Sequence, residues 1–418
     1  MGNGMAEATV SALPNGAPDG APEGIARRLG GSAAVDPRAL AMRAVHRVAS
    51  DLRRGTPVLL EGGGESLVLA AAETVGARGL SELSAAATGP AVLLISATRA
   101  AALLSRPVPA TSTAAGPAPE DVPVSLRLSP SLLAPDSLRR LADPAAEQLL
   151  PEAPQIVPSL GFSQALSPAA IALAKIARLL PALVAAPAST PLLSAGGAAR
   201  HGLLTVSVAE VLAYPLSAAT SLVRVAEARV PLEDAPEARI TAFRAADGGI
   251  EHLAILVGQP ERAGAVAPLC RIHSECFTGD LLGSLRCDCG PQLRGAIARM
   301  AAEESGGVLL YLAQEGRGIG LVNKLRAYTL QDAGLDTLDA NRALGYGADE
   351  RDFRVAATML EALGIPRVRV LTNNPDKLAG LAACGIGVAG RVSHLFAANG
   401  VNDGYLATKK ARFGHLMG

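Results

Sequence analysis

The sequence predicts a two-domain protein of the α/β (α+β) class, with a mixed sheet in the second domain. Three observations predict it. The chain has 418 residues, 49% of them hydrophobic, which is enough for two cores. Segments with helical spacing of apolar residues alternate with short, wholly apolar runs of strand length. In the second half, polar glycine-containing motifs follow those runs directly, at the strand ends where α/β ligand sites lie.

Residues 1–36 are rich in Gly, Ala and Pro and are expected to form a flexible tail. The first domain is expected over residues 37–218. ALAMRAVHRVASDLRRG reads as a helix with Leu40, Val45, Val48 and Leu52 on one face, ended by Gly55. TPVLLEGG reads as a buried strand and LVLAAAETVGARG as a helix. AVLLIS is a further strand and TRAAALLS a further helix. Residues 105–160 are proline-rich and poorly periodic, and are expected to be loop or a decayed insertion. SPAAIALAKIARLLPALVAA reads as helix, and residues 201–217 as strand then helix.

The second domain is expected over residues 222–400. RVAEARVPL, ARITAFRA and HLAILVG are strands, and APLCRIHSECF is a strand running into a polar stretch. PQLRGAIARMAAEES is an amphipathic helix with Leu293, Ile297 and Met300 on one face. GVLLYLAQ is a buried strand leading through EGRGIG into the helix LVNKLRAYTLQDAG. DFRVAATMLEALGI and KLAGLAACGI are helices on either side of the strand RVRVLTNN. The last residues, 401–418, are polar and basic and are expected to be a loosely held tail.

Composition excludes several functions. Lys plus Arg equals Asp plus Glu at 38 each, so bulk charge offers nothing to nucleic acid. Trp is absent and aromatics are 3%, so a base-stacking platform is also disfavoured. The longest apolar stretch, Ala170 to Ala186, is broken by Lys175, Arg178 and Pro181 and is too short to span a bilayer. The first 40 residues carry no signal-peptide pattern, and Ala6 stands where a myristoylation signal needs Ser or Thr. With five cysteines, three of them clustered, a reducing compartment with a metal site is expected, and the cytoplasm is the default.

The clustered cysteines are Cys276, Cys287 and Cys289, in RIHSECFTGDLLGSLRCDCG. Three thiolates are soft ligands, and three protein ligands leave a fourth tetrahedral position for water, as in a catalytic zinc site. A closed structural site would need a fourth ligand, and His273 is the nearest candidate. Cys270 and Cys384 lie in apolar runs and read as core thiols. Glu315-Gly316-Arg317-Gly318-Ile319-Gly320 follows a strand and opens a helix. Its glycines and the helix N-terminus suit an anion, although its spacing also fits a tight turn. Gly347 to Asp352 carries four consecutive charges before a helix and reads equally as an N-terminal cap. Leu371 to Lys377 is a strand end and polar turn in which Thr372 and Lys377 are candidate phosphate ligands.

RIHSECFTGDLLGSLRCDCG, QEGRGIGLVNKLRAYTLQDAGLDTLDAN, GYGADERDF and LTNNPDK occur in this order and at close spacing. Residues 222–400 thereby resemble GTP cyclohydrolase II, the zinc enzyme that opens riboflavin biosynthesis. The resemblance implies hydrolysis of GTP to 2,5-diamino-6-(5-phospho-ribosylamino)pyrimidin-4(3H)-one, formate and pyrophosphate. It matches Cys276, Cys287 and Cys289 to the ligands of one Zn²⁺ per subunit, and places Mg²⁺ with the triphosphate. Arg271, Ile272, His273, Ser274 and Glu275 match the first GTP-contacting segment, which moves His273 to the nucleotide side. Gln292, Glu315, Gly316, Arg317, Thr337, Thr372 and Lys377 match further GTP contacts. Asp349 matches the proton acceptor, Arg351 the proposed nucleophile and Tyr328 the active-site tyrosine. An arginine nucleophile is chemically unusual because a guanidinium stays protonated; a transition-state clamp is the physically cheaper role. A homodimer is expected.

Residues 37–218 resemble, more faintly, 3,4-dihydroxy-2-butanone 4-phosphate synthase, through AVHRVASDLRRGTPVLLEGGGESLVLAAAETV and HGLLTVSVAEVLAY. That family's acidic, Mg²⁺-holding cluster is here Glu61-Gly62-Gly63-Gly64-Glu65-Ser66. A degenerate, synthase-inactive domain is therefore expected. The alternatives are a bifunctional enzyme that also makes 3,4-dihydroxy-2-butanone 4-phosphate, and a non-catalytic nucleotide-binding paralogue.

Overall fold

The structure is a computed structural model. It describes residues 36–104, 123–147, 150–152, 155–157, 165–194, 196–414 and 416. The expected tail at the N-terminus lies outside them except for Asp36, as does the proline-rich segment 105–122.

The first half runs α1 (Pro37–Arg53), β1 (Val58–Gly62), β2 (Glu65–Ala71), α2 (Ala77–Ala86), β3 (Val92–Ser96), α3 (Ala97–Leu104), β4 (Pro123–Arg127), α4 (Pro135–Ala142) and β5 (Gln155–Val157). It continues with α5 (Leu166–Ile176), β6 (Ala182–Pro187), the single turns α6 (Thr190–Leu193) and α7 (Gly197–Arg200), β7 (Thr205–Ser207) and α8 (Val208–Thr220). Its sheet has the order β5-β4-β3-β6-β2-β1-β7, antiparallel except for β1 against β7.

Four expectations for this half are corrected. Residues 65–71 are strand β2 and not helix. Gly63 and Gly64, at φ +63° and +82°, turn the chain straight back so that Glu61 pairs with Ser66 and Leu60 with Leu67. Residues 182–187 are strand β6, separated from α5 by Arg178 at φ +57° and by Pro181. Both strands are covered on two faces: Leu67 and Leu69 join one core cluster, Val68 and Ala70 the other. No polar alternation marks such a strand. The described part of 105–160 holds β4, α4 and β5 and is not loop. Along α1, Met42 replaces Leu40 on the buried face, and Leu40 is exposed.

The second half follows the expected order, with a helix at Thr337–Ala343 and a strand at Gly387–Val392 that sequence reasoning did not place. β8 (Val223–Arg229), β9 (Arg239–Arg244), β10 (Glu251–Val257) and β11 (Leu269–Ser274) lead to a π-helical turn at Phe277–Leu281 and to α9 (Cys289–Ala301). β12 (Gly307–Leu312), a 3₁₀ turn at Glu315–Gly318, α10 (Leu321–Asp332), α11 (Thr337–Ala343) and α12 (Arg354–Ala362) follow. β13 (Arg367–Leu371), α13 (Pro375–Ala383), β14 (Gly387–Val392) and α14 (Asp403–Phe413) complete it. This sheet is mixed, β14-β13-β11-β12-β10-β9-β8, with β14, β13, β11 and β12 mutually parallel. Leu293, Ala296, Ile297 and Met300 of α9 cover one face; Val355, Met359 and Leu360 of α12 cover the other. The expected C-terminal tail is corrected too. Its described residues include α14, which is anchored by buried Lys409 on Asp288 at 2.6 Å.

The two halves share a core. Ile319, Ala327, Leu330, Ala340, Leu344 and Tyr346 from the second half join the cluster built on Leu59, Val68, Leu93 and Val184. Arg326 of α10 pairs with Glu73 at 2.9 Å and Asp143 at 2.8 Å in the first half. Among the described residues, no helix is long and apolar enough to cross a membrane.

Candidate active site

Parallel strands β11, β12 and β13 end at the same edge, and their following loops build one cavity. At one side the three cysteines converge, with Sγ atoms all within 4.8 Å of one another. Cys276 leaves β11, while Cys287 and Cys289 lead into α9. Cys276 Sγ lies 3.7 Å from Cys287 Sγ and accepts the Gly279 amide at 3.3 Å. A Cβ on Gly279 would stand 2.6 Å from Cys287 Sγ and 3.0 Å from Cys276 Sγ, so only glycine admits this approach. Converging soft sulfurs with that clearance fit a zinc ion. His273 is not among the converging donors: its Nε2 faces both Asp280 oxygens at 3.1 Å.

Lys324 of α10 is the group beside the trio that sequence reasoning missed. It is 8% exposed, and its Nζ contacts Cys276 Sγ at 3.0 Å, Thr278 Oγ1 at 3.0 Å and Glu315 Oε1 at 2.9 Å. Burial works against its ammonium, but the bonds to Cys276 and Glu315 outweigh that and hold Lys324 above its ordinary value. Hydrogen bonds from Cys287 and Cys289, then Lys324, hold Cys276 well below the usual thiol value, while Cys287 and Cys289 are raised. Tyr328, one turn further on α10, lines the cavity with its hydroxyl 3.5 Å from Thr278 Oγ1 and with Arg286 over its ring.

The rest of the cavity is cationic. Arg271, Arg286, Arg317, Lys324, Arg351, Lys377 and Lys409 line it, against the carboxylates Glu275 and Glu315. Arg271 is buried, bonded to Gln292 and to the Leu371 carbonyl, and burial pushes it down to about 10. Lys377 is 7% exposed, donates to the Ile272 carbonyl at 2.7 Å, and is held well below its ordinary value by burial and then by Arg351 and Arg271. Such a lysine gains from an anion. Arg271 Nε, His273 Nδ1 and Ser274 Oγ are buried with no hydrogen-bond partner among the described residues, which leaves a row of polar atoms for a ligand.

Other candidates take mixed positions. Glu275, Gln292, Gly316, Thr337 and Thr372 line the cavity. Ile272 does not: its side chain is in the core, and its contribution is the carbonyl under Lys377. Glu315 is buried and committed, with Oε2 taking the Phe277 amide at 2.7 Å. Gly316 and Arg317 both adopt left-handed φ, +61° and +63°, which turns Arg317 over the Phe413 ring at 3.6 Å. Arg351 lines the cavity and Asp349 stands behind it, paired to the guanidinium through both oxygens. Against the upward push of burial, Arg351 keeps Asp349 below the usual carboxylate range. Lys409 reaches the same cavity from α14. Lys324 lies within QEGRGIGLVNKLRAYTLQDAGLDTLDAN but was not singled out there, and no motif marks Lys409.

A family model described as GTP cyclohydrolase II matches residues 223–393. A curated GTP cyclohydrolase-2 of Azospirillum brasilense is 49% identical over 384 residues, covering 90% of this chain and 94% of its own. The chain belongs to the GTP cyclohydrolase II family. It is thus a member of a hydrolase family of riboflavin biosynthesis. The GTP cyclohydrolase-2 of Pectobacterium atrosepticum is 50% identical over 196 residues, 47% of this chain but 98% of its own, so that relative matches only about half of this protein. The riboflavin biosynthesis protein RibBA of Synechocystis is 44% identical over 53% of this chain and 39% of its own. A solved two-domain 3,4-dihydroxy-2-butanone 4-phosphate synthase of A. baumannii, RibBX, covers 84% of this chain and 99% of its own at 18% identity and TM-score 0.33, too loose an overlap to bear on the fold.

Proposed function

We propose that this chain hydrolyses GTP to 2,5-diamino-6-(5-phospho-ribosylamino)pyrimidin-4(3H)-one, formate and pyrophosphate, using one Zn²⁺ held by Cys276, Cys287 and Cys289. One observation carries the reading: a three-thiol metal-donor set and a cationic cradle share one cavity. The first suits attack of water on the guanine ring, the second suits a triphosphate. Bound there, zinc supplies Lewis acidity and water with a pKa lowered to about 7.

The protein's own groups do the rest. Lys324 balances thiolate charge and fixes Cys276 against Glu315. The Tyr328 hydroxyl, beside Thr278, holds or passes a proton at the ring-opening end. The free polar atoms of Arg271, His273 and Ser274 receive the nucleotide along β11. Arg317, Lys377 and Lys409 neutralise phosphate oxygens, the Thr372 hydroxyl donates to one, and Mg²⁺ arrives with the triphosphate as part of the substrate. Thr337, Glu275, Gln292 and Gly316 complete the nucleotide contacts. Asp349, ionised and paired through both oxygens, keeps Arg351 a fixed cation, which supports Arg351 as a clamp on the reacting phosphorus and not as a nucleophile.

The test is to incubate zinc-loaded protein with GTP and Mg²⁺ and follow formate and pyrophosphate separately. Both products support the reading; neither would sink it, and pyrophosphate alone would remove the zinc half. Cys287→Ser abolishes formate release and most bound zinc, read by metal analysis. We further propose that the first domain lacks synthase activity, because Glu61 and Glu65 flank a glycine hairpin turn where the family has a dense acidic run. Turnover of ribulose 5-phosphate would overturn this. A homodimer remains our expectation, to be measured by light scattering.

A further inference from the structure

The turn from α5 into β6, in the first half, packs behind the candidate active site. Lys175 Nζ lies 2.7 Å from Glu350 Oε1, with the side chains 20% and 26% exposed. The same oxygen accepts the Gly347 amide at 2.7 Å, and the Glu350 amide donates to the Arg317 carbonyl at 3.0 Å. A Cβ on Gly318 would sit 2.9 Å from the Glu350 carbonyl oxygen, so the loops around Arg317 and Arg351 touch with no room to spare. Three residues further along the same turn, Arg178 holds φ +57°, a conformation costly for a non-glycine residue. Its guanidinium donates to the Ala313 carbonyl at 2.6 Å, just ahead of Glu315, and its own carbonyl accepts Asn323 Nδ2 at 3.2 Å. Tyr346, fully buried, ties the same turn to the Gly347 loop through its hydroxyl on the Leu179 carbonyl at 2.6 Å.

Resting on the cyclohydrolase reading above, we infer that Lys175, seconded by Arg178, is a positioning residue that the first domain supplies to the second. Lys175 holds Glu350; Glu350 locks the Gly347 loop onto the Arg317 turn; Arg317 and Arg351 then project into the cavity in fixed register. None of Lys175, Arg178 and Glu350 lines the cavity itself, so they act through those two arginines. The first domain is in this sense an internal brace for catalysis, whatever has become of its own chemistry. A charged partner is needed because Glu350 is mostly buried and carries two hydrogen-bonding duties at once. A loss of register of about 1 Å at a clamp costs up to ~100-fold in rate, and an interaction that matters most in the transition state is lost from kcat more than from KM.

The experiment uses full-length protein carrying Lys175→Ala, Lys175→Arg and Glu350→Gln. It measures kcat and KM for pyrophosphate release from GTP, amide hydrogen exchange at Gly347 and Glu350, and the melting temperature. Lys175→Ala and Glu350→Gln are expected to lose about 10-fold in kcat with KM changed by less than about 3-fold, and to exchange faster at both amides. Lys175→Arg is expected to recover most of both. Wild-type kcat and exchange in Lys175→Ala would overturn the inference, as would a loss that Lys175→Arg does not repair, which would mark general destabilisation. Failure of the cyclohydrolase reading is told apart from this: wild-type protein would then release no pyrophosphate, while the exchange data would still decide whether Lys175 orders the Gly347 loop.

Discussion

Lys324 Nζ stands 3.0 Å from Cys276 Sγ, so one buried cation serves the metal-donor trio from a helix that is forty-eight positions away in the chain. The ammonium also ties Glu315, which in turn holds the Phe277 amide. Lys324→Met keeps the length of the side chain and removes the charge. It is expected to weaken zinc binding about 10- to 100-fold, the usual effect of losing a group that supports a metal ligand. Competition with a chromogenic chelator measures it, and formate release should fall in parallel.

Lys409 brings α14 onto the cavity and neutralises Asp288, between two of the cysteines. Lys409→Ala removes one cation from the cradle and leaves a buried carboxylate unpaired. KM for GTP is expected to rise about 10-fold, with a smaller fall in kcat, because a lysine that meets phosphate in both ground and transition states contributes mainly uniform binding. Unchanged steady-state kinetics would show that α14 is structural only.

Tyr346 sits where the halves join, its hydroxyl donating to the Leu179 carbonyl and accepting Asn323 Nδ2 at 3.0 Å. Tyr346→Phe leaves both groups buried without that partner. A loss of about 1–3 kcal/mol is expected, seen as a lower urea midpoint. Because the core is shared across the two halves, the unfolding transition should move as one and not split.

His252 accepts the Ala313 amide at Nδ1, 3.0 Å away, and burial, with a smaller push from Arg178, lowers it to about 4. The unfolded chain takes up its proton near pH 6.5 and the folded one only near 4. Within that window the unfolded state binds more protons, so stability declines as pH falls and is whole above it. The full effect is on the order of 3 kcal/mol. His252→Asn keeps an acceptor and removes the titration; its denaturation midpoint should vary less than that of the wild type between pH 6.5 and 4.

Legibility followed burial pattern. α12 was readable because one face is polar: Val355, Met359 and Leu360 are buried while Glu361 is exposed. β2 and β6 were not, since strands buried on both faces carry no alternation, and their apolar runs fit a helix equally well. The glycine pair at 63 and 64 was the available clue to the hairpin. Helix α14 was hidden by its polar composition; its anchoring depends on Asp288 and on Asp336 and Asp339, which Arg412 reaches from the far end of the domain sequence.

By itself, the sequence determined the cysteine trio, the glycine turn before α10, the charged run around Asp349 and the order of the elements from β8 to α10, because each is a short-range pattern of residue types. The tertiary structure alone decided that Lys324, Lys409, Lys175 and Asp280 belong to the same neighbourhood. It also decided that His273 turns to Asp280 and away from the thiols, and that the first domain braces the second. The physical reason is common to all of them. A buried polar or charged group requires a hydrogen-bonding or oppositely charged partner within a few ångströms, and which residue meets that requirement depends on how distant segments pack, which no local pattern encodes.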